Sequence, residues 1–151
     1  MDLDARKRVY NQLRVDEGVE YKIYLDHLGY PTFGVGHLIT EKDPEHEMEV
    51  GDRVREERVE EVFATDLDIA LNECEVLYTE EKWCKFPVEV QEILVNMMFN
   101  MGRPTLSKFR GMNGALLKHD WKTAAVEGRD SRWYRQVTNR AERLMHRLEN
   151  V

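Results

Sequence analysis

Val9, Tyr10 and Leu13 fall on one side of a helical repeat over about residues 4–15, and Gly18 supplies a stop. The period then changes. Two short β-prone runs, 21–25 (Tyr-Lys-Ile-Tyr-Leu) and 32–36 (Thr-Phe-Gly-Val-Gly), flank the turn-rich connector Asp26-His27-Leu28-Gly29-Tyr30-Pro31 and predict a small antiparallel sheet. Asp43-Pro44 has the form of an N-cap followed by proline at the first helical position, which predicts a short helix ending near Gly51. From about Val54 to Tyr78 the residues Val59, Val62, Phe63, Leu67, Ala70, Leu71, Cys74 and Leu77 recur at helical spacing, so this stretch reads as one helix long enough to join two lobes. Residues 87–100 are apolar on most sides, as in a buried central helix ended by Gly102. Shorter helices follow, with Ser107 and Asp120 as N-caps, a segment around Trp133 and Tyr134, and Thr138 capping a last helix whose inner face carries Ala141, Leu144, Met145 and Leu148. The expected fold class is α+β within a single domain, residues 1–151. It comprises a sheet-bearing N-terminal lobe (about 14–53), a connecting helix (about 54–78) and an all-α C-terminal lobe (about 79–151) on which helix 4–15 packs.

Composition narrows the function classes. The densest apolar stretch, Ile93-Leu94-Val95 and Met97-Met98-Phe99 around one Asn, is far short of the roughly 20 residues that cross a bilayer. The first residues carry cations with no apolar segment behind them, unlike a secretory signal. Synthesis in a cytosol and no stable membrane association are therefore expected. Cys74 and Cys84 are too few for a disulfide scaffold and read as reduced core thiols. The net charge of -7 argues against nucleic-acid binding. Its distribution is uneven: residues 1–102 hold 11 cations and 24 anions, whereas residues 103–151 hold 11 cations and 5 anions.

Glu17, Asp26 and Thr32 form the strongest chemical constellation, at a helix end, a strand end and the following strand. Chain reversal between them lets a Glu face an Asp across a cleft while a hydroxyl holds a water. Glycosidic hydrolysis needs such a set: one carboxylic acid to protonate the leaving oxygen, and one carboxylate to activate water or stabilise the oxocarbenium-like transition state. Spacing alone leaves a solvated, structural role open for both acids.

The surrounding segments carry a likeness. Leu13-Arg14-Val15-Asp16-Glu17-Gly18, Tyr24-Leu25-Asp26, and Gly29-Tyr30-Pro31-Thr32-Phe33-Gly34-Val35-Gly36-His37-Leu38-Ile39-Thr40 closely resemble the catalytic segment of the T-even phage lysozymes, or endolysins. The likeness continues through Asn96-Met97-Met98-Phe99-Asn100-Met101-Gly102, Ser131-Arg132-Trp133-Tyr134 with Gln136, and Asn139-Arg140-Ala141, in order along nearly the whole chain. It implies cleavage of the β-1,4 bond between N-acetylmuramic acid and N-acetylglucosamine in peptidoglycan, with inversion at the anomeric carbon. Glu17 then falls at the general-acid position, and Asp26 and Thr32 at the other catalytic positions. The resemblance also implies a cofactor-free monomer, made in the host cytoplasm and acting on the wall after holin-type release. Arg140 matches an arginine that pairs with the catalytic Glu, and Leu38 and Phe99 match residues lining the sugar cleft. Arg132 lies in a matching segment. For the last three a packing role stays open.

Some positions depart from the family pattern. The stretch from Thr40 to Phe63 is shorter, Asn100 replaces a Gln, Val137-Thr138 replaces Thr-Pro, and Met112 and Glu127 stand where polar sugar-contacting residues are usual.

Asp66 sits among Val59, Val62, Phe63, Ala70 and Cys74, where an ionised carboxylate is costly without a partner. The resemblance assigns it His37, as a structural salt bridge. A metal site built on His37 with His27 and His46 matches no zinc spacing, so no metal is expected. Cys84 with His119 or His146 lacks any nucleophile motif. Trp121, Trp133 and the methionines read as core. Two other functions stay open: a catalytically silent wall-binding or structural module, and a lytic transglycosylase acting on the same bond.

Overall fold

The computed structural model describes residues 1–151 and opens with helix α1 (Leu3–Glu17). The Asp2 carboxylate accepts the Ala5 N–H at 2.8 Å and so satisfies one orphan donor of the first turn. Gly18 ends the helix at φ +74, with its N–H on the Arg14 carbonyl.

Strands β1 (Glu20–Leu25), β2 (Pro31–Gly34) and β3 (His37–Leu38) form an antiparallel sheet in chain order. Tyr24 stands opposite Thr32, and Thr32 opposite Leu38. The third strand escapes the alternation pattern because two residues cannot display a period. Val35 and Gly36 make the tight connection to it, and Gly36 has φ +66.

A 3-10 turn, Pro44–Glu47, follows where Asp43-Pro44 predicts a helix, but it stops well before Gly51 and the Asp43 carboxylate does not cap it. That carboxylate is drawn to His37 and Thr40 instead. Residues 51–54 hydrogen-bond to β1, with Val54 N–H on the Tyr21 carbonyl at 2.9 Å. Val54 is thereby used by the sheet, and helix α2 (Glu56–Tyr78) begins after it.

Helix α3 (Glu80–Lys85) has no counterpart in the hydrophobic pattern, being too short to show a repeat. Its signal is Thr79, whose hydroxyl accepts the Lys82 N–H. Helix α4 (Val88–Leu106) loses helical geometry at Gly102 (φ 80, ψ 164), where the sequence places its end, and a short turn containing Pro104 follows. Then come α5 (Arg110–Leu117), α6 (Trp121–Arg129), α7 (Arg132–Gln136) and α8 (Thr138–Glu149).

Two expected caps are corrected. The Ser107 hydroxyl donates to the Pro104 carbonyl at 2.7 Å, and α5 begins after Phe109. Thr138 is the first residue of α8 and donates to the Tyr134 carbonyl at 2.8 Å. Hydroxyls on the outgoing side of a helix bond back to its carbonyls rather than forward. Asp120 does cap α6, and Ser131 caps α7. Cys84 is exposed, so only Cys74 is a core thiol.

The chain forms two compact units, residues 10–69 and residues 1–9 with 70–151, so α1 and α2 each contribute to both. Only the first part of α1, through Val9, groups with the C-terminal residues. In the smaller unit Ile23 and Phe33 of the sheet pack with Val54, Val59 and Val62. Tyr10 stacks on Phe63 at 4.3 Å, and Arg14 pairs with Glu60. In the larger unit Val90, Ile93, Leu94, Val95 and Met97 of α4 are fully buried, as are Ala141, Leu144, Met145 and Leu148 of α8. Each large side chain so buried contributes about 1.5–3 kcal/mol.

Candidate active site

Glu17 is the last residue of α1, and Gly18 turns the chain directly into the sheet. Its carboxylate lies against the β2–β3 connection: a Cβ added to Gly36 would stand 3.4 Å from Glu17 Oε2. That is van der Waals distance, so the half-buried acid rests directly on this connection, whose backbone at Gly36 is left-handed.

Asp26 follows β1. Its Oδ1 accepts the N–H groups of Leu28 at 2.9 Å and Tyr30 at 2.8 Å, closing an Asx-type turn, while its own N–H donates to the Tyr30 carbonyl at 2.9 Å. With one carboxylate oxygen tied to two amides, the orientation of the other is set.

Thr32, at 3% exposure, donates its hydroxyl proton to the Tyr30 carbonyl at 2.9 Å. Its oxygen keeps acceptor capacity only. Two cross-strand neighbours share its face of the sheet. One is Leu38, 48% exposed. The other is Tyr24, whose phenol is pushed up by burial and then by the carboxylates of Glu20, Glu17 and Asp26. Tyr24 and Gly36 stand out only through strand register and backbone approach, which the sequence pattern does not display.

His37 opens β3 and is held on both sides. Nδ1 lies 2.7 Å from Asp66 Oδ2 on α2, and Nε2 lies 2.9 Å from Asp43 Oδ2. Arg58 of α2 joins the cluster, with Nη2 3.4 Å from Asp43 Oδ1 and 2.9 Å from the buried Glu45. Burial lowers the His37 pKa, but hydrogen bonds accepted by the Asp66 and Asp43 carboxylates outweigh it and hold the imidazole above its ordinary value. Asp43 is the converse: burial raises it, and the Thr40 N–H and His37 outweigh that and leave it below its ordinary value. Both ring nitrogens of His37 are engaged by carboxylates of its own unit. His27 and His46 are exposed.

The other expected residues lie in the larger unit. Arg140 donates through Nε to Asn96 Oδ1 at 2.9 Å. Arg132 borders two adjoining cavities of about 380 and 310 Å³. The first is also bordered by Phe109 and Glu127, the second by Asn100, Trp133 and Gln136. Trp133 Nε1 donates to Asn100 Oδ1 at 2.8 Å. Phe99 is half-buried and borders neither cavity, and Met112 is buried in the core. Trp121, expected in the core, is partly exposed.

The family model described as phage lysozyme matches residues 14–150. Over 149 residues the chain is 35% identical to the pre-baseplate central spike protein Gp5 of Enterobacteria phage T4, covering 87% of this chain and 26% of that protein. It is 28% identical over 156 residues to the probable T4-type lysozyme 2 of Dictyostelium discoideum, covering 92% of both. With the probable T4-type lysozyme 1 of the same organism it shares 27% over 158 residues, covering 93% of both. The chain thus spans about a quarter of the spike protein and nearly the full length of the two lysozymes.

Proposed function

The chain belongs to the phage lysozyme family, and from that premise we propose that it is a muramidase that hydrolyses the β-1,4 bond between N-acetylmuramic acid and N-acetylglucosamine in peptidoglycan. Glu17 is the general acid that protonates the leaving oxygen. Asp26, with one oxygen held by the Leu28 and Tyr30 amides, turns the other toward a water or the developing positive charge. Thr32 donates its hydroxyl hydrogen bond to the Tyr30 carbonyl, so its oxygen accepts one from that water and orients the water's lone pair at the anomeric carbon. Displacement by water in one step inverts the anomeric configuration. Leu38, opposite Thr32, and Arg132, at the cavities of the larger unit, contact sugar, with Phe99 as a further contact. The enzyme works as an endolysin: a cofactor-free monomer made in the host cytoplasm that reaches the wall after release.

One observation carries this reading. Within a single folded unit the end of α1 sets Glu17 against the β2–β3 turn, while the β1–β2 hairpin holds an oriented carboxylate and a proton-committed hydroxyl. Incubation with purified peptidoglycan and mass spectrometry of the fragments tests it. Reducing muramic ends are expected. Anhydro ends identify a transglycosylase, and absence of fragments identifies a silent wall-binding module.

The likeness to a baseplate spike protein favours a second setting for the same chemistry, as a wall-degrading part of a larger assembly. Proteomics of purified particles against free lysate separates the two settings.

A further inference from the structure

Five rings form a continuous array in the larger unit. Tyr78 stacks with Trp83 at 6.2 Å, Trp83 meets Phe86 edge-on at 6.0 Å, and Phe86 meets Trp121 at 6.0 Å and His119 at 5.9 Å. His119 and Trp121 close the array, stacked at 4.8 Å and 29°. Tyr78, Trp83 and Phe86 are buried, Trp121 is partly exposed and His119 is exposed. The array therefore starts in the core and ends in water as an imidazole laid on an indole.

The backbone under His119 is unusual. Helix α5 ends in a Schellman turn, with Asp120 N–H on the Ala115 carbonyl and His119 N–H on the Leu116 carbonyl, both at 2.9 Å. The position between these bonds is left-handed, and His119 has φ 56. Glycine occupies this place at low cost, because a Cβ there crowds the following carbonyl. Thr79 is the other non-glycine residue with positive φ, and its hydroxyl caps α3 in return. The return for His119 is a ring placed over Trp121 and left facing solvent.

Charge marks the same spot. Lys118 and Lys122 flank the pair and are exposed, and the Asp120 carboxylate between them is engaged with the Thr123 N–H. With Asp120 counted, the spot carries a net charge of +1 within the basic last third of the chain.

We propose that the His119–Trp121 face is a second, non-catalytic platform for cell-wall glycan strands. A sugar presents a face of C–H groups that packs on the negative faces of aromatic rings. The carboxylates of the lactyl-peptide substituents on the strand pair with Lys118 and Lys122. None of these residues belongs to the hydrolytic set. Holding the insoluble polymer at a second point raises the effective concentration of glycosidic bonds at the first. The identity of the polymer rests on the muramidase reading.

The test uses the full chain. In a Glu17→Gln background that keeps the wall intact, co-sedimentation with purified sacculi is measured with and without His119→Gly, a change the Schellman turn accepts. The apparent dissociation constant is expected to rise about fivefold or more, the order of one lost stacked ring contact. The melting temperature should stay within about 3 °C. Lys118→Gln with Lys122→Gln should weaken sedimentation at low salt and lose that effect at high salt. With Glu17 restored, His119→Gly should slow reducing-end release from sacculi while turnover of a short soluble muropeptide oligomer stays unchanged. Equal sedimentation of folded His119→Gly and its parent overturns the platform, as does an equal loss on sacculi and soluble oligomer. If the wild-type chain releases no reducing ends from either substrate, the muramidase reading fails, and sedimentation still decides the platform by itself.

Discussion

His37 Nε2 lies 2.9 Å from Asp43 Oδ2, and this contact turns a single ion pair into a three-residue clasp. Asp66 on α2 holds the other ring nitrogen at 2.7 Å, so the imidazolium joins the segment before the 3-10 turn to the long helix. Both contacts are hydrogen bonds donated by the ring only while it is protonated.

The clasp makes stability depend on pH. The His37 pKa is raised on folding, so its contribution is complete below about 6.5 and is lost as pH rises through the higher folded value. The Asp43 pKa is lowered, so its contribution is complete above about 3.9 and is lost as pH falls through the lower folded value. Both are fully present between roughly pH 4 and 6.5. Urea unfolding of His37→Asn should show a larger loss near pH 5.5 than near pH 9, and equal losses would reject the clasp.

Arg129 joins α6 to α8 by donating to Glu142 at 2.9 Å and to Glu149 at 2.8 Å. Arg129, then the Tyr134 hydroxyl, hold the Glu142 carboxyl down to about 2. Its contribution is present above its ordinary value and is lost as pH falls through about 2. The destabilisation by Arg129→Gln should therefore shrink between pH 5 and pH 2, read as the shift in urea midpoint. A constant shift would mean that packing of the arginine stem dominates.

Glu17→Gln keeps the shape and removes the proton donor, so turnover on peptidoglycan should fall by about 10² to 10⁴, the usual worth of a general acid. Thermal stability should hold or rise, because acids kept in clefts are seldom the most stable choice there. Retention of more than roughly a tenth of wild-type lysis would reject the acid assignment.

Gly36→Ala adds a methyl 3.4 Å from Glu17 Oε2 and forces alanine to φ +66. The backbone cost is about 1–2 kcal/mol. Gly51→Ala carries similar strain at φ +96 with no atom within 4 Å of the new carbon. Both variants should lose comparable stability, and Gly36→Ala alone, because its backbone strain falls beneath Glu17, should lose activity beyond its unfolded fraction. Equal activity at a temperature where both are folded would show that the position of Glu17 does not depend on the backbone at Gly36.

Peptidoglycan and its attached polymers are largely anionic, so a chain of net charge -7 is repelled at long range while cations in residues 103–151 attract locally. Salt shortens screening from about 30 Å at 0.01 M to about 10 Å at 0.1 M and suppresses the long-range term more. Clearing of outer-membrane-stripped cells should quicken over that range. A monotonic fall would show that the basic C-terminal third governs the encounter.

Local chemistry determined much of this protein in advance. The apolar repeat from Val59 to Leu77 is a helix, the buried run before Gly102 is a helix that breaks at that glycine, and Asp120 caps α6, because each property depends on residues within a few turns. Asp66 on an apolar face needed a partner on energetic grounds alone. Tertiary structure decided what depends on competition between partners far apart in sequence. Asp43 reads as a helix cap, yet it serves His37 and Thr40, since the turn before it delivers an imidazole and an amide to its carboxylate. Val54 belongs by pattern to the long helix, but the Tyr21 carbonyl claims its N–H. The closeness of Gly36 to Glu17 and the stacking of His119 on Trp121 leave no periodic trace, because backbone approach and ring contact are set by how elements fold onto one another, not by the spacing of residues along the chain.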